Sequence, residues 1–165
     1  MKTERITHAF DPVFDHESRI LILGTMPSPK SRELGFYYSH PRNRFWPVMA
    51  KIFFAEIPKT PEEKRDFCLR NKIALWDVLS ECDIEGASDS SIKNAVPNDL
   101  SVIMNSADIK AIFTTGTTAA KLYKKFIEPK TKIPAKALPS TSPANAKIGL
   151  EKLAEEYKII LEYVK

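Results

Sequence analysis

With 165 residues, 43% of them apolar and 28% charged, the chain has the make-up of an ordinary globular protein, long enough for one domain over 1–165 that buries about two-thirds of its unfolded surface. A net charge of +4 is a mild basic bias that suits a polyanionic partner without requiring one. Two cysteines, Cys68 and Cys82, are too few for a zinc or iron–sulfur site, residues 1–8 hold no signal segment, and no apolar run spans a bilayer, so a reduced, cytoplasmic protein with buried thiols is expected.

Residues 1–18, with Pro12 and several charges, read as an irregular lead-in. His8, His16, Asp11 and Asp15 share no recurrent ligand spacing and are assigned to a solvated loop rather than a metal site. Residues 20–23 form an apolar strand that stops at Gly24 and a polar loop, the way a buried parallel strand delivers its loop to a ligand crevice. A helix is expected to start near Pro41, since proline suits a first turn. It would bury Phe45, Val48 and Ile52, with Trp46, Met49 and Phe53 adjacent, until Pro58 and Pro61 interrupt it. Thr60 is expected to cap a helix over 61–71 that turns Phe67 and Leu69 inward.

A second strand follows over 73–79, then a polar loop over 80–96 whose length suggests that it lies over a site. Asn98 and Asp99 are expected to cap a helix to Ala107. Residues 109–113 give a third strand, Thr117 caps a helix through Phe126, and 132–138 give a fourth strand that enters the loop 139–145. Ser142 before Pro143 is a helix-start signal, and Leu150, Leu153, Tyr157, Ile160, Leu161 and Val164 recur at helical spacing; residues 158–164 could instead form an edge strand. Strands alternating with helices predict a three-layer α/β/α fold around a mainly parallel four-stranded sheet. Ligand groups should gather after Leu23, Leu79, Phe113 and Leu138.

Gly24 to Ser31 has Lys30-Ser31 at the distance a phosphate-binding P-loop requires, but Pro29 replaces the second glycine. Proline has no N–H and cannot take the glycine conformation, which rules out a nucleoside triphosphatase. Ser28 and Ser31 have no histidine at a diagnostic position and no nucleophile elbow, so serine hydrolase chemistry is set aside. His40 is assigned by default to a structural role ahead of the helix. Asp77, ending the second strand, is either a pocket residue or a structural acid.

Two blocks point further. The first runs Gly24-Thr25-Met26-Pro27, then Tyr38, then His40-Pro41-Arg42-Asn43-Arg44-Phe45-Trp46; the second is Pro139-Ser140-Thr141-Ser142-Pro143-Ala144-Asn145. Together they resemble the uracil-DNA glycosylase superfamily, most closely its mismatch-specific and hypoxanthine-DNA glycosylase branches, and the seven residues 40–46 are the most specific part. Met26 stands where the mismatch branch keeps its catalytic asparagine, and methionine cannot orient water. The hypoxanthine branch also lacks that asparagine and uses the one in the His-Pro run. The resemblance therefore implies that Asn43 is catalytic; without it, Asn43 would simply hydrogen-bond the start of the next helix.

The same resemblance implies a base pocket of Gly24, Thr25, Met26, Pro27, Ser31, Tyr38 and Asp77. Tyr38 would stack on a base flipped out of DNA, and backbone N–H groups around Thr25 to Ser28 would stabilise it as it leaves. The Asn43 carbonyl would hold the attacking water at the anomeric carbon. Ser28, His40, Arg42, Ser140, Thr141, Ser142 and Asn145 would face the DNA, the loop 139–145 entering the minor groove. Lys121, Lys124, Lys125, Lys130, Lys132 and Lys136 would add a phosphate track if they lie beside that loop.

The expected activity is that of a monofunctional DNA glycosylase for deaminated bases, hypoxanthine before mismatched uracil, since no lysine is placed by motif as a Schiff-base nucleophile. It would act as a monomer on DNA, with neither metal nor organic cofactor. The alternatives are a non-catalytic nucleic-acid-binding module of the same fold, or an α/β small-molecule binder whose aromatic motif is core.

Overall fold

The structure, a computed structural model, describes residues 3–8 and 10–165. In chain order it comprises β1 (Thr3–Thr7), β2 (Ile20–Gly24), α1 (Pro29–Leu34), α2 (Phe45–Ile52), α3 (Pro61–Arg70) and β3 (Ile73–Asp77). There follow β4 (Leu79–Glu85), β5 (Ser88–Pro97), α4 (Ser101–Met104), β6 (Ala111–Thr115) and α5 (Thr117–Phe126). The chain closes with α6 (Glu128–Thr131), β7 (Lys136–Leu138), α7 (Leu150–Tyr157) and a 3-10 turn over Lys158–Glu162.

The larger sheet has the order β3-β2-β6-β7 with every neighbouring pair parallel. Strand β2 is buried along its whole length because helices cover both faces, which is why its sequence is continuously apolar rather than alternating. Ile20 and Ile22 join Val48, Phe67 and Leu153 on one face, bringing in α2, α3 and α7. Leu21 and Leu23 join Ile103, Ala119 and Tyr123 on the other, bringing in α4 and α5. The expected three layers around a parallel four-stranded sheet are those observed.

A second, antiparallel sheet has the order β1-β4-β5 and replaces two stretches expected to be irregular. The lead-in contains β1, and Val13 bridges to Leu75; residues 1, 2 and 9 of that stretch lie outside the described residues. The polar loop expected over 80–96 is the β4–β5 hairpin. Its buried apolar residues are Leu79, Cys82 and Ile84 on the covered face, with Ile92 and Ala95 of β5 partly buried against the same cluster, and an antiparallel sheet with one wet face needs no more. Outside, Arg5 holds Glu81 at 2.6 Å and Asp83 at 3.2 Å.

Other boundaries move for local reasons. The strand expected over 73–79 breaks at Val78, where the chain leaves the parallel sheet for the antiparallel one. Asn98 spans that break, donating to the carbonyls of Asp77 (2.9 Å) and Leu79 (3.0 Å) instead of capping a helix. Asp99 accepts from the Ser101 N–H at 3.0 Å, and α4 stops at Met104. The third strand lies at Ala111–Thr115, and Gly116 at φ +90°, not Thr117, precedes α5. The fourth strand shrinks to Lys136–Leu138: Lys132 ends the short helix α6 in the left-handed conformation at φ +63°, which an extended strand does not accept. No helix starts at Ser142: the hydroxyls of Ser140 and Ser142 each accept a backbone N–H two residues on, holding turns until α7 begins at Leu150. Residues 158–162 continue α7 as a 3-10 turn, not an edge strand, and bury Ile160.

No helix among the described residues is long and apolar enough to cross a membrane. Cys68 and Cys82 are both free and buried, and burial pushes both thiols above their ordinary pKa. The folded protein should therefore leave a disulfide reagent such as DTNB unconsumed and react at both cysteines in denaturant. Rapid reaction of either thiol in native buffer would contradict this packing.

Candidate active site

Strands β2, β3 and β6 end at one level and open into a cleft of about 610 Å³. The chain leaves β2 first toward β3 on one side and later toward β6 on the other, and in open α/β sheets ligands bind at such a switch point. Gly24 sits there. A methyl group on it would lie 2.6 Å from Asp77 Oδ1, 3.2 Å from the Tyr38 hydroxyl and 3.6 Å from Thr115 Oγ1. The bare Cα is what lets a carboxylate and two hydroxyls converge on the cleft floor.

Asp77 is 4% exposed, and a buried carboxylate needs partners. Its Oδ2 lies 2.8 Å from His8 Nε2. His8 Nδ1 accepts the Phe10 N–H at 3.2 Å, so Nε2 carries the ring hydrogen and donates it to the carboxylate. Phe10, Tyr37 and Trp76 crowd the imidazole, whose side chain is 3% exposed. His8 is thus a buried brace of the floor, not part of a solvated loop.

Tyr38 adopts φ +53°, a left-handed conformation uncommon for residues with a side chain. Its neighbours impose it: Ser39 N–H donates to Ser31 Oγ at 3.0 Å, and Trp46 Nε1 to the Tyr37 carbonyl at 3.1 Å. The Tyr38 ring stacks on Phe45 with centroids 3.9 Å apart and planes 10° apart, leaving its other face for the cleft it lines. Burial, with the Asp77 charge second, holds the phenol well above its ordinary pKa, so its hydroxyl, 3.1 Å from Thr115 Oγ1, stays protonated.

Asn43 performs the structural role weighed for it. Its Oδ1 accepts the Phe45 N–H at 2.9 Å, which starts α2 at Phe45 rather than Pro41. The same oxygen accepts from Thr141 Oγ1 at 2.8 Å across 98 residues of sequence. A backbone N–H donor identifies that atom as oxygen, so the amide nitrogen is what remains for the cleft, which Asn43 lines. The expectation of a carbonyl-held water needs correcting, because both lone pairs of this carbonyl are engaged.

Arg44 completes the connection. Its N–H donates to the Thr141 carbonyl at 3.1 Å, and its guanidinium donates to the carbonyls of Ser142 and Asn145, each at 3.0 Å, and of Ile148. A rigid fork of donors suits this task better than a lysine would. Tyr157 holds the Pro139 carbonyl at 2.6 Å, and Asn145 Nδ2 the Ser140 carbonyl at 2.9 Å.

Of the residues singled out from sequence, Gly24, Thr25, Met26, Pro27, Ser28 and Ser31 line the cleft beside Tyr38, His40, Asn43 and Asp77, facing Ser140, Thr141 and Ser142. Arg42 is exposed and Asn145 braces the loop, and neither is part of the cleft lining. Ser31 and Thr141 are buried with their hydroxyls bonded inside the protein, and His40 Nδ1 accepts the Arg42 N–H at 3.0 Å. None of the six lysines at 121–136 lines the cleft; Lys30 does. Sequence reasoning missed His8, Arg44 and Thr115. His8 gave no signal because its partner is 69 residues away, whereas Arg44 lay inside the densest motif. The length of 80–96 was the signal for the hairpin, whose Ile84, Gly86, Ala87 and Asp89 overhang the cleft.

A parallel sheet with an aromatic wall and a polar floor at its switch point defines an α/β protein built to take a flat, hydrogen-bonding ring. The sequence model of the Uracil DNA glycosylase superfamily matches residues 12–165, and the chain belongs to that superfamily. It is 36% identical over 109 residues to a hypoxanthine DNA glycosylase of Methanosarcina barkeri (strain Fusaro / DSM 804), covering 65% of this chain and 69% of that protein. A hypoxanthine DNA glycosylase of Methanosarcina acetivorans is 31% identical over 152 residues, covering 91% and 95%. The solution NMR structure of a candidate uracil DNA glycosylase from Methanosarcina acetivorans superposes with a TM-score of 0.77 at 28% identity, covering 93% of this chain and 98% of that one.

Arg44→Met should leave the sheet intact but free the loop. Losing a charged donor to these part-buried carbonyls should cost roughly 1.5–3 kcal/mol, read by denaturant unfolding, with amide exchange accelerated across 139–148. Unchanged exchange there would show that the loop does not depend on this side chain.

Proposed function

We propose that the chain is a monofunctional DNA glycosylase that everts deaminated bases, hypoxanthine first and mismatched uracil second, and hydrolyses their N-glycosidic bonds to begin base-excision repair. It would act as a monomer, residues 1–165 forming one glycosylase domain. The observation that supports this best is the pairing of an open Tyr38 face with the locked Asn43 amide in one cleft. The relatives named for hypoxanthine support the choice of base.

Eversion costs roughly a few kcal/mol, and stacking on Tyr38 returns about 1–3 kcal/mol. As the glycosidic bond breaks, positive charge grows on the sugar and negative charge on the departing base. Water adding late to such a cation needs position more than a strong base. With its oxygen held by Phe45 and Thr141, Asn43 donates an N–H to one lone pair of that water and leaves the other lone pair directed at the anomeric carbon. The added water gives up one proton to solvent and becomes the sugar hydroxyl, and the departing base anion takes one proton from solvent and leaves neutral. Met26 can be tolerated where another branch has its asparagine because the amide comes from the facing segment. Lys30, at the cleft, and the exposed Arg42 supply cations for the flanking phosphates.

Labelled duplexes containing deoxyinosine or deoxyuridine, treated with alkali after incubation, report abasic sites. Asn43→Ala should lower product formation at least about a hundredfold while costing about 0.5–1.5 kcal/mol of stability for each of the two hydrogen bonds its oxygen accepts. Tyr38→Ala should weaken binding and turnover together. Full activity in Asn43→Ala would refute the assignment of the amide, and duplex binding by the wild type without product would favour a non-catalytic module. Binding should weaken steeply with salt, as phosphate contacts require.

A further inference from the structure

A departing base needs a hydrogen-bond donor, and the loop after β2 is a poor source of one, since Pro27 and Pro29 have no N–H to offer. The end of β6 supplies another. Thr115 is its last residue, half-buried and lining the cleft, and parallel pairing with Leu138 of β7 holds it in place. Its Oγ1 lies 3.1 Å from the Tyr38 hydroxyl and has no other hydrogen-bond partner among the described residues. Both hydroxyls border the open space over Gly24. Two hydroxyls in contact use one hydrogen between them and leave the other free. A phenol is the stronger donor and an alcohol oxygen the better acceptor, so Tyr38 donates and the Thr115 hydrogen stays available to the cleft. A base stacked on Tyr38 lies a layer above that ring, out of line with the phenol hydroxyl; Thr115, reaching in from the strand end, is not confined to the ring plane.

We propose that Thr115 is a catalytic residue whose hydroxyl donates to the base as negative charge builds on it, and that the Tyr38 hydroxyl is the positioning residue that turns and polarises it. The inference rests on the glycosylase reading. The glycosidic C–N bond breaks with its electron pair staying on the base. A donor fixed before that moment stabilises the anion more than the neutral base, and only that difference accelerates the reaction. Tyr38, by donating to Thr115, strengthens the Thr115 O–H in turn, because successive hydrogen bonds polarise one another. The threonine keeps its proton, being far too weak an acid to transfer it, and the base takes one from solvent. Tyr38 thus serves twice, through its ring face for stacking and through its hydroxyl for bond breaking. A phenylalanine in its place would supply only the first.

The test compares single-turnover release from duplexes carrying deoxyinosine with release from matched duplexes carrying 8-azadeoxyinosine, whose extra ring nitrogen stabilises the departing anion and lessens its need for a donor. Wild-type protein should release the aza base faster. Thr115→Val, which keeps the shape and drops the hydroxyl, should slow hypoxanthine release at least about thirtyfold and aza-base release by only about threefold. Thr115→Ser should restore both rates. Tyr38→Phe, which keeps the stacking ring, should shift the ratio of the two rates in the same direction by less. A purely structural role would slow both bases by one factor and leave the ratio alone. Equal losses on the two bases in Thr115→Val, or no loss, overturn the proposal; should that variant not fold, an unchanged ratio in Tyr38→Phe does so. Wild-type protein that releases the aza base no faster than hypoxanthine overturns it without any variant. Wild-type protein that releases neither base overturns the glycosylase reading itself, and this assignment with it.

Discussion

The cleft depends on one contact between distant parts of the chain, the hydroxyl of Thr141 on the carboxamide oxygen of Asn43. It joins the segment before α2 to the loop after β7, and Arg44 reinforces it by gripping four carbonyls of that loop through its side chain and its own N–H. Without that grip the loop would keep the Tyr157 bond to its first carbonyl but residues 141–148 would lose their anchor, because its serines bond only to their own backbone. The same oxygen accepts the Phe45 N–H, the first of α2, from one residue outside the helix's N-cap, Arg44. A side chain fixed from two directions loses its rotamer freedom before any ligand arrives, which is the preorganisation that a late-attacking water needs.

The floor follows from a second constraint, the lack of a side chain at Gly24. Parallel strands bring Gly24 level with Asp77, and the glycine leaves space for the Asp77 carboxylate and the Tyr38 hydroxyl. The small antiparallel sheet carries the chain toward His8 and delivers the hairpin over the cleft. The two sheets therefore do different work: the parallel one sets the level of the site, and the antiparallel one shapes its floor and rim.

The layers and the central strand were legible because continuous burial writes itself as continuous apolar sequence, as in Ile20 to Leu23. The aromatic segment was legible too, since Tyr38, Asn43 and Phe45 crowd into a few residues. What stayed hidden was whatever depends on pairing across long separations. Strands β1 and β5 are mostly polar and held by backbone bonds and exposed ion pairs, so no hydrophobic period marks them. His8 reads as a solvated residue until Asp77 is brought beside it. Arg44 reads as one more cation until the loop folds over it. Ser142-Pro143 carries a genuine helix-start signal, which local serine turns override.

The central claim is that Asn43 faces the everted nucleotide through its amide nitrogen while its oxygen stays bound to Phe45 and Thr141. The most direct measurement is a crystal structure with a duplex bearing 2′-fluoro-deoxyinosine, whose fluorine slows formation of the sugar cation. The account predicts the base lying on the open face of Tyr38, with one water bridging Asn43 Nδ2 and the anomeric carbon. An Asn43 amide turned to point its oxygen at the sugar, or a nucleotide seated outside the cleft, would contradict it.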